Sequence, residues 1–222
     1  MQYRTTLLMS QFVTHDVKRF VCERPAGFSF VPGQGVEMVI DLPGWREEEG
    51  RPFTPTCLAD DRVLEFTVKR YPDHAGVTDR LHALAPGDPL LLSEPFGTIA
   101  YQGAGTFIAA GAGLTPFLAI FRQLAREGGF AGCRLLYSNK TPADIICEKE
   151  LRHYFGAAAL FTCTRAAGPD CERRRIDLSL LEEKLGDRAG RFYVCGPDPF
   201  VEAITSALAG MGVAAASLVF EQ

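Results

Sequence analysis

The sequence predicts a two-part fold, a small antiparallel β-barrel followed by a doubly wound parallel-sheet α/β domain. Three observations predict it. The first half is made of short strand-like runs broken by Pro and Gly turns, the second half alternates apolar runs with segments of helical period, and Gly97, Gly103 and Gly105 cluster where the pattern changes. A chain of 222 residues accommodates two domains of roughly 100 residues each. The expected division is 1–99 and 100–222.

In the first half, runs rich in Val, Phe, Thr and Leu at 3–12, 17–23, 35–40, 53–58, 63–69 and 89–93 read as six strands. Turns such as Pro32-Gly33, Pro43-Gly44 and Pro86-Gly87 separate them, and that spacing suits a small closed sheet. One interruption at 78–84 reads as a helix with Thr78 as N-cap. In the second half, strands at 106–110, 133–138, 160–164, 191–195 and 216–220 alternate with helices at 116–127, 143–155, 178–185 and 198–211. That alternation implies βαβ units and a parallel sheet covered on both faces.

Composition narrows the class of function. Hydrophobic residues make up 47% and charged residues 23%, so both halves have material for a core, and a net charge of −4 without a long basic run argues against nucleic acid or an anionic membrane as partner. The expected partners are small molecules and proteins. The N-terminal residues 1–12 show no charged start, apolar core and cleavage site, so a cytoplasmic location is expected. The uncharged stretch 103–121 approaches the length of a membrane span, but Gly105, Gly111, Gly113 and Pro116 interrupt it, and no span is expected. The seven cysteines form no C-x-x-C pair and are odd in number, which suits reduced thiols better than a disulfide framework or an iron–sulfur or zinc site. His15, His74, His82 and His153 share no spacing, so no metal site is expected.

Two stretches of the second half carry chemistry. The run Phe107-Ile108-Ala109-Ala110-Gly111-Ala112-Gly113-Leu114-Thr115-Pro116 leads a strand through a glycine turn into a helix that starts at a proline. Backbone N–H groups and the positive end of a helix dipole then face an arriving anion, which describes a pyrophosphate cradle involving Gly111, Gly113, Thr115 and Pro116. Cys195-Gly196-Pro197 ends another strand at the carboxyl edge of the same sheet, where open α/β sheets bind ligands.

Those stretches, taken with Arg51-Pro52-Phe53-Thr54 in the first half and in that order, resemble the ferredoxin-NADP⁺ reductase superfamily, which includes cytochrome b5 reductases and flavodoxin reductases. The likeness spans nearly the whole chain, and the order of motifs is its specific part. It implies a flavin-dependent oxidoreductase in which NAD(P)H passes hydride to FAD and electrons then leave, singly, for a separate acceptor: a flavodoxin, ferredoxin, cytochrome, partner oxygenase or small oxidant. By this resemblance Arg51 pairs with the FAD pyrophosphate, and Pro52 and Phe53 line the flavin. Thr54 carries the hydroxyl directed at flavin N5, and Cys195, Gly196 and Pro197 position the nicotinamide. Phe53 departs from the family's usual Tyr.

Val68-Lys69 followed by Gly76-Val77-Thr78 is similar to the family's second flavin element, with the glycine one place late. No adenine platform is evident, so FMN in place of FAD stays open. Phe220, ahead of Glu221 and Gln222, either shields the flavin or packs at a strand end. The choice of dinucleotide also stays open. Ser138 and Asn139 carry no acid for a ribose, and Arg165 or Arg173 would receive a 2′-phosphate, whereas 139–145 (N-K-T-P-A-D-I) resembles a stretch of NADH-linked cytochrome b5 reductases. Two other readings compete. One is a flavin-binding redox sensor without turnover, the other an NAD-linked dehydrogenase without flavin.

Overall fold

Strand β1 (Tyr3–Phe12) shows how the first half closes on itself: Thr5 and Leu7 point inward, then a register shift between Leu7 and Met9 leaves the far end largely exposed. The computed structural model describes residues 2–45, 50–72, 76–97, 99–186 and 190–220. Beside β1 lie β2 (Val17–Glu23), β3 (Val36–Ile40), β4 (Arg51–Phe53), β5 (Val63–Lys69) and β6 (Pro89–Leu92), in the order β4-β3-β6-β1-β2-β5 with antiparallel pairing throughout. The two edge strands meet. Pro55, just beyond β4, bridges Phe66 of β5, and the Thr56 N–H donates to the Glu65 carbonyl at 2.7 Å. That seam closes the expected barrel, around Phe20, Val36, Met38, Leu64, Phe66, Leu90 and Leu92. Closure leaves few exposed strand edges.

Two expectations for this half need correction. The strand expected at 53–58 is Arg51–Phe53, because Pro55 has no N–H to give a ladder and the chain there serves only as a bridge. The helix α1 (Val77–Leu81) is capped by Gly76 without a side chain, and Thr78 lies inside its first turn. Its hydroxyl instead accepts from the Tyr71 N–H at 3.3 Å.

The second half holds β7 (Gly105–Ala110), α2 (Thr115–Glu127), β8 (Arg134–Asn139), α3 (Glu148–Phe155), β9 (Ala159–Cys163), α4 (Leu178–Lys184), β10 (Arg191–Cys195), α5 (Asp198–Gly210) and β11 (Leu218–Phe220). All five strands are parallel, in the order β11-β10-β7-β8-β9. From β7 the chain builds outward through β8 and β9, then crosses to β10 and β11 on the other side. The order therefore reverses between β7 and β10. Thr106 to Ala109 are all buried, as expected of a strand covered on both faces.

The single helix expected at 143–155 is two pieces, a 3₁₀ turn at Pro142–Asp144 and then α3. Thr141 and Asp144 close the first piece reciprocally, the carboxylate accepting from the Thr141 N–H at 2.8 Å and hydroxyl at 2.6 Å. Cys147, at φ 53°, sits in the left-handed region and redirects the chain before α3 begins. The cysteine expectation is also corrected. Cys163 and Cys171 form a disulfide, whereas Cys22, Cys57, Cys133, Cys147 and Cys195 do not.

The chain divides into two compact units, Met1–Gly97 with Thr115–Gln123, and Thr98–Leu114 with Leu124–Gln222. Among the described residues, no helix is long and apolar enough to cross a membrane. His74, Glu221 and Gln222, which entered the sequence reading, lie outside the described residues.

Candidate functional site

At the reversal point of the parallel sheet, two turns are packed backbone against backbone. A Cβ built on Gly113 would lie 2.6 Å from the Gly196 Cα and would overlap the Cys195 carbonyl, so only glycine fits there. Gly111 is required for another reason, since it holds φ +54°. Residues Gly111–Leu114 form a 3₁₀ turn that runs straight into α2, whose start carries Pro116 in its first turn and no side-chain cap. A helix start left uncapped by side chains directs N–H groups and a partial positive charge outward, where an anion is stabilised.

The strand ends beside this turn bring most of the second-half candidates to one edge. Ala109 is the register partner of Cys195, Ala110 of Ser138, Asn139 of Cys163 and Phe220 of Val194. Cys195 is buried and Gly196 is seated against Phe200 and Ala110, while Pro197 is exposed at the entry to α5. Phe220 packs against the core formed by Ile108, Phe192, Val194 and Leu208. Arg165 is exposed just past β9, tied by its N–H to the Lys140 carbonyl at 2.8 Å.

One group at this edge escaped the sequence reading. The Tyr137 hydroxyl donates to the Gly111 carbonyl at 2.9 Å, fixing the turn from below, and complete burial raises its pKa far above the ordinary phenol value. Tyr137 belongs to no motif, and only its position two residues before Asn139 on β8 hinted at it. Asn139, already a candidate, is 5% exposed, and neither polar atom of its amide has a hydrogen-bond partner among the described residues. A buried amide in that state costs about 1–3 kcal/mol and is stabilised by any polar ligand or water that reaches it. The glycine cradle, the uncapped helix and the orphaned amide together fit a dinucleotide.

In the barrel, Arg51 and Pro52 are exposed on β4, and Phe53 and Thr54 are half-buried at the closing seam. A Cβ built on Gly35 would lie 3.6 Å from the Phe53 carbonyl and 3.9 Å from the Thr54 hydroxyl, so β3 and this segment are in close register. The antiparallel sense of the Pro55–Phe66 bridge carries Phe53 toward Val68, bringing the two expected flavin elements to one seam. Val68 and Val77 give their side chains to the barrel core, and the Val68 carbonyl accepts from His82 Nε2 at 2.9 Å. Lys69 has its ammonium 2.7 Å from Asp16, so the side chain is already engaged. Burial pushes the Asp16 carboxyl up, but Lys69 and the Thr14 hydroxyl outweigh that and hold it below the usual range. Gly76 enters α1 without a side-chain cap, and the Arg80 guanidinium lies over the Trp45 ring at 5.5 Å. An exposed guanidinium, a threonine hydroxyl and an uncapped helix start fit the phosphates and polar edge of a flavin nucleotide.

The seam is braced by a polar cluster absent from the sequence reading. Glu65 receives the Arg122 guanidinium at 2.5 Å and the Thr56 hydroxyl at 2.9 Å, and Arg122 also donates to the Thr56 carbonyl. Both side chains are half-buried, so removing either one leaves the other charge partly shielded from water without its counterion.

Residues 107–206 match the family of oxidoreductase NAD-binding domains. The chain is 29% identical over 218 residues to NADH-cytochrome b5 reductase 2 of Mycosarcoma maydis, covering 86% of this chain and 60% of that protein. It is 26% identical over 228 residues to the reductase component of propane 2-monooxygenase from Rhodococcus jostii (strain RHA1), covering 94% and 60%. The chain thus spans about three-fifths of the length of these relatives. Among solved structures, a ferredoxin NADP⁺ reductase from Neisseria gonorrhoeae with bound FAD and NADP superposes with a TM-score of 0.85 at 22% identity, over 98% of this chain and 97% of that one. The flavohem-like FAD/NAD-binding domain of nitric oxide dioxygenase from Vibrio cholerae gives 0.86 at 24%, over 99% and 97%. The strand order, the two motif-bearing edges and these relatives agree: the chain has the fold and the motif order of the ferredoxin-NADP⁺ reductase superfamily and is similar to its members.

Proposed function

We propose that the chain is a flavin-dependent NAD(P)H reductase, with FAD held by residues 1–99 and NAD(P)H by residues 100–222, that hands electrons to a separate acceptor. The observation that carries this reading is the contact of Gly113 with Cys195 and Gly196, a place where two strand-end turns approach too closely for any side chain and where the sheet order reverses. Bound flavin supplies the electron chemistry, taking up hydride and releasing electrons. The protein's own groups bind and orient. Backbone from Gly111 to Gly113 and the start of α2 receive the dinucleotide pyrophosphate, with Thr115 and Pro116 at the helix entry. Cys195, Gly196 and Pro197 position the nicotinamide, while Ser138, Asn139 and Arg165 line the path of the adenosine half. In the barrel, Arg51 pairs with the flavin phosphates, Gly76 to Thr78 offer backbone N–H groups, and the Thr54 hydroxyl donates toward the reacting edge of the flavin.

Relatives named as NADH-cytochrome b5 reductases and as reductase components of oxygenases support an acceptor that is itself a protein, a cytochrome, ferredoxin or oxygenase. A cytoplasmic location belongs to the same proposal, because the reduced dinucleotide is drawn from that compartment. The test is stopped-flow mixing of flavin-loaded protein with NADH and NADPH in parallel. Bleaching of the flavin band near ~450 nm within one turnover supports the reading. Flavin that binds and is reduced by neither dinucleotide overturns it.

A further inference from the structure

We infer that Cys163 and Cys171 form a reversible thiol–disulfide site that governs the affinity of the sheet's carboxyl edge for the dinucleotide. The inference rests on the reading that this edge holds NAD(P)H. The bond joins the last residue of β9 to a returning loop eight residues later, with the two Cα atoms 6.1 Å apart, a normal spacing for a disulfide. It encloses residues 164–170, and the ring so formed lies on the end of β8. The Thr164 N–H donates to the Asn139 carbonyl at 2.9 Å and the Arg165 N–H to the Lys140 carbonyl at 2.8 Å. Gly168 approaches Pro142 so closely that a Cβ there would lie 2.9 Å from the proline Cγ. Covalent closure thus adds to these hydrogen bonds in holding Thr164 and Arg165 against the strand end that carries the Asn139 amide.

Outside the ring the backbone is anchored without the bond. The Cys163 N–H donates to the Glu172 carbonyl at 2.8 Å and the Glu172 N–H to the Phe161 carbonyl at 3.0 Å, while within the ring Arg152 reaches the Asp170 carbonyl at 3.0 Å. Opening the disulfide thus leaves β9 in place and frees mainly the loop. A freed loop must be ordered again whenever ligand binds, which weakens binding without any lost contact in the bound state. In a cytoplasmic protein a disulfide is characteristically transient and redox-sensing.

The exchange is balanced with a dithiol protein of the thioredoxin type as co-reactant. Its thiolate attacks the Cys171 sulfur, the more exposed of the two at 7% against 0% for Cys163, and Cys163 departs as a thiolate that takes a proton. The second thiol of the reductant then resolves the mixed disulfide and releases Cys171. Two thiols have been oxidised to a disulfide in the partner, and one disulfide has been reduced here. Oxidised glutathione runs the reverse reaction. The barrel thiols stay aside, because burial pushes Cys22 up to about 12 and Cys57 up to about 11.

The flavin-loaded protein is equilibrated in glutathione buffers from fully reduced to fully oxidised, quenched with acid, alkylated and mapped by mass spectrometry for the 163–171 link. NADH and NADPH affinities are read by fluorescence titration in the same samples. We expect the link to form and open across the series. The better-bound dinucleotide should be held roughly fivefold more weakly in the reduced state. Cys171→Ser, which lies outside the proposed binding contacts, should stay at the weak value in every buffer. Thiols at both positions in fully oxidised buffer would overturn the inference, as would a link that opens and closes with no change in affinity. The latter result leaves the reductase reading intact. Failure to bind either dinucleotide in any buffer sinks both.

Discussion

Gly113 is the residue at which sequence, packing and ligand chemistry meet most tightly. Any side chain there collides with backbone at Cys195 and Gly196, and backbone atoms yield far less readily than the end of a flexible side chain. Gly113→Ala is expected to part the two turns and weaken NAD(P)H binding by about tenfold or more, corresponding to ~1.4 kcal/mol. Flavin content should be untouched, because the flavin candidates lie in the barrel. A titration showing full NAD(P)H affinity in this variant would remove the close approach from the account. Thr54 poses the complementary question in the barrel. If its hydroxyl stabilises the transition state, Thr54→Ala slows flavin reduction by about tenfold at saturating dinucleotide, again ~1.4 kcal/mol, with flavin still bound. Arg51→Ala should instead lose flavin. Equal reduction rates in Thr54→Ala and the parent would reject the role assigned to that hydroxyl.

Among the elements, strands were more legible than helix starts. β7 and β10 stand out as apolar runs ending in glycine motifs, and their positions follow from that pattern alone. The split of 143–155 did not, because Cys147 adopts a left-handed conformation that a non-glycine sequence gives no reason to expect, and the Thr141–Asp144 cap is read naturally as the start of one longer helix. The disulfide was hidden for a similar reason. Cys163 and Cys171 are joined by a return of the chain that is visible only once Glu172 is seen bonded to Phe161 and Cys163. α1 illustrates how a short helix is held by contacts rather than by its own length. The His82 Nε2 donates to the Val68 carbonyl at 2.9 Å, Lys18 donates to the His82 carbonyl at 2.8 Å, and the ring packs edge-on to Phe20. Burial lowers the His82 pKa from its ordinary 6.5, and the neighbouring Lys18 and Arg70 charges lower it further. A base with a depressed folded pKa favours the unfolded state once the unfolded imidazole protonates. The contribution of His82 to stability should therefore be flat above pH 6.5 and decline as pH falls below it, ahead of the loss expected when Asp16 protonates at a still lower pH. Urea midpoints across that range check this. His82→Gln, which keeps a donor for Val68, should abolish the decline between about pH 6.5 and 5, and an undiminished decline in that variant would assign it elsewhere.

At the scale of the whole molecule, each unit has its own core, and the fold class was readable because the two halves differ in period: closed antiparallel pairing around Phe66 and Leu90 in one, a parallel sheet around Ile108 and Val194 in the other. The candidate site was legible wherever its chemistry is carried by backbone, as at Gly111, Gly113 and Gly196, because glycine marks such places in sequence. It was illegible where a side chain supports the backbone from within, as Tyr137 supports Gly111 and Arg122 braces Thr56. Buried thiols and the Tyr137 phenol have a consequence at high pH. Folding buries Cys22 and Cys57 in the barrel and Tyr137 in the parallel-sheet unit, and burial raises the pKa of each. In the unfolded chain the thiols ionise near their ordinary 9.0, whereas in the folded chain they keep their protons up to about 12 and about 11. Between those limits the unfolded state has released protons that the folded state retains, so stability falls as pH rises through 9.0 toward 11 and above. The phenol of Tyr137 adds to the same slope from an ordinary value of 10.0. Urea midpoints measured at about pH 8 and about pH 10 should therefore differ, with the lower midpoint at the higher pH. In Cys22→Val/Cys57→Val the remaining drop should be smaller, because only the buried phenols are left to drive it. Equal midpoints at the two pH values in the parent protein would mean that these groups ionise without unfolding, and that the interiors described here admit charge more freely than their burial implies.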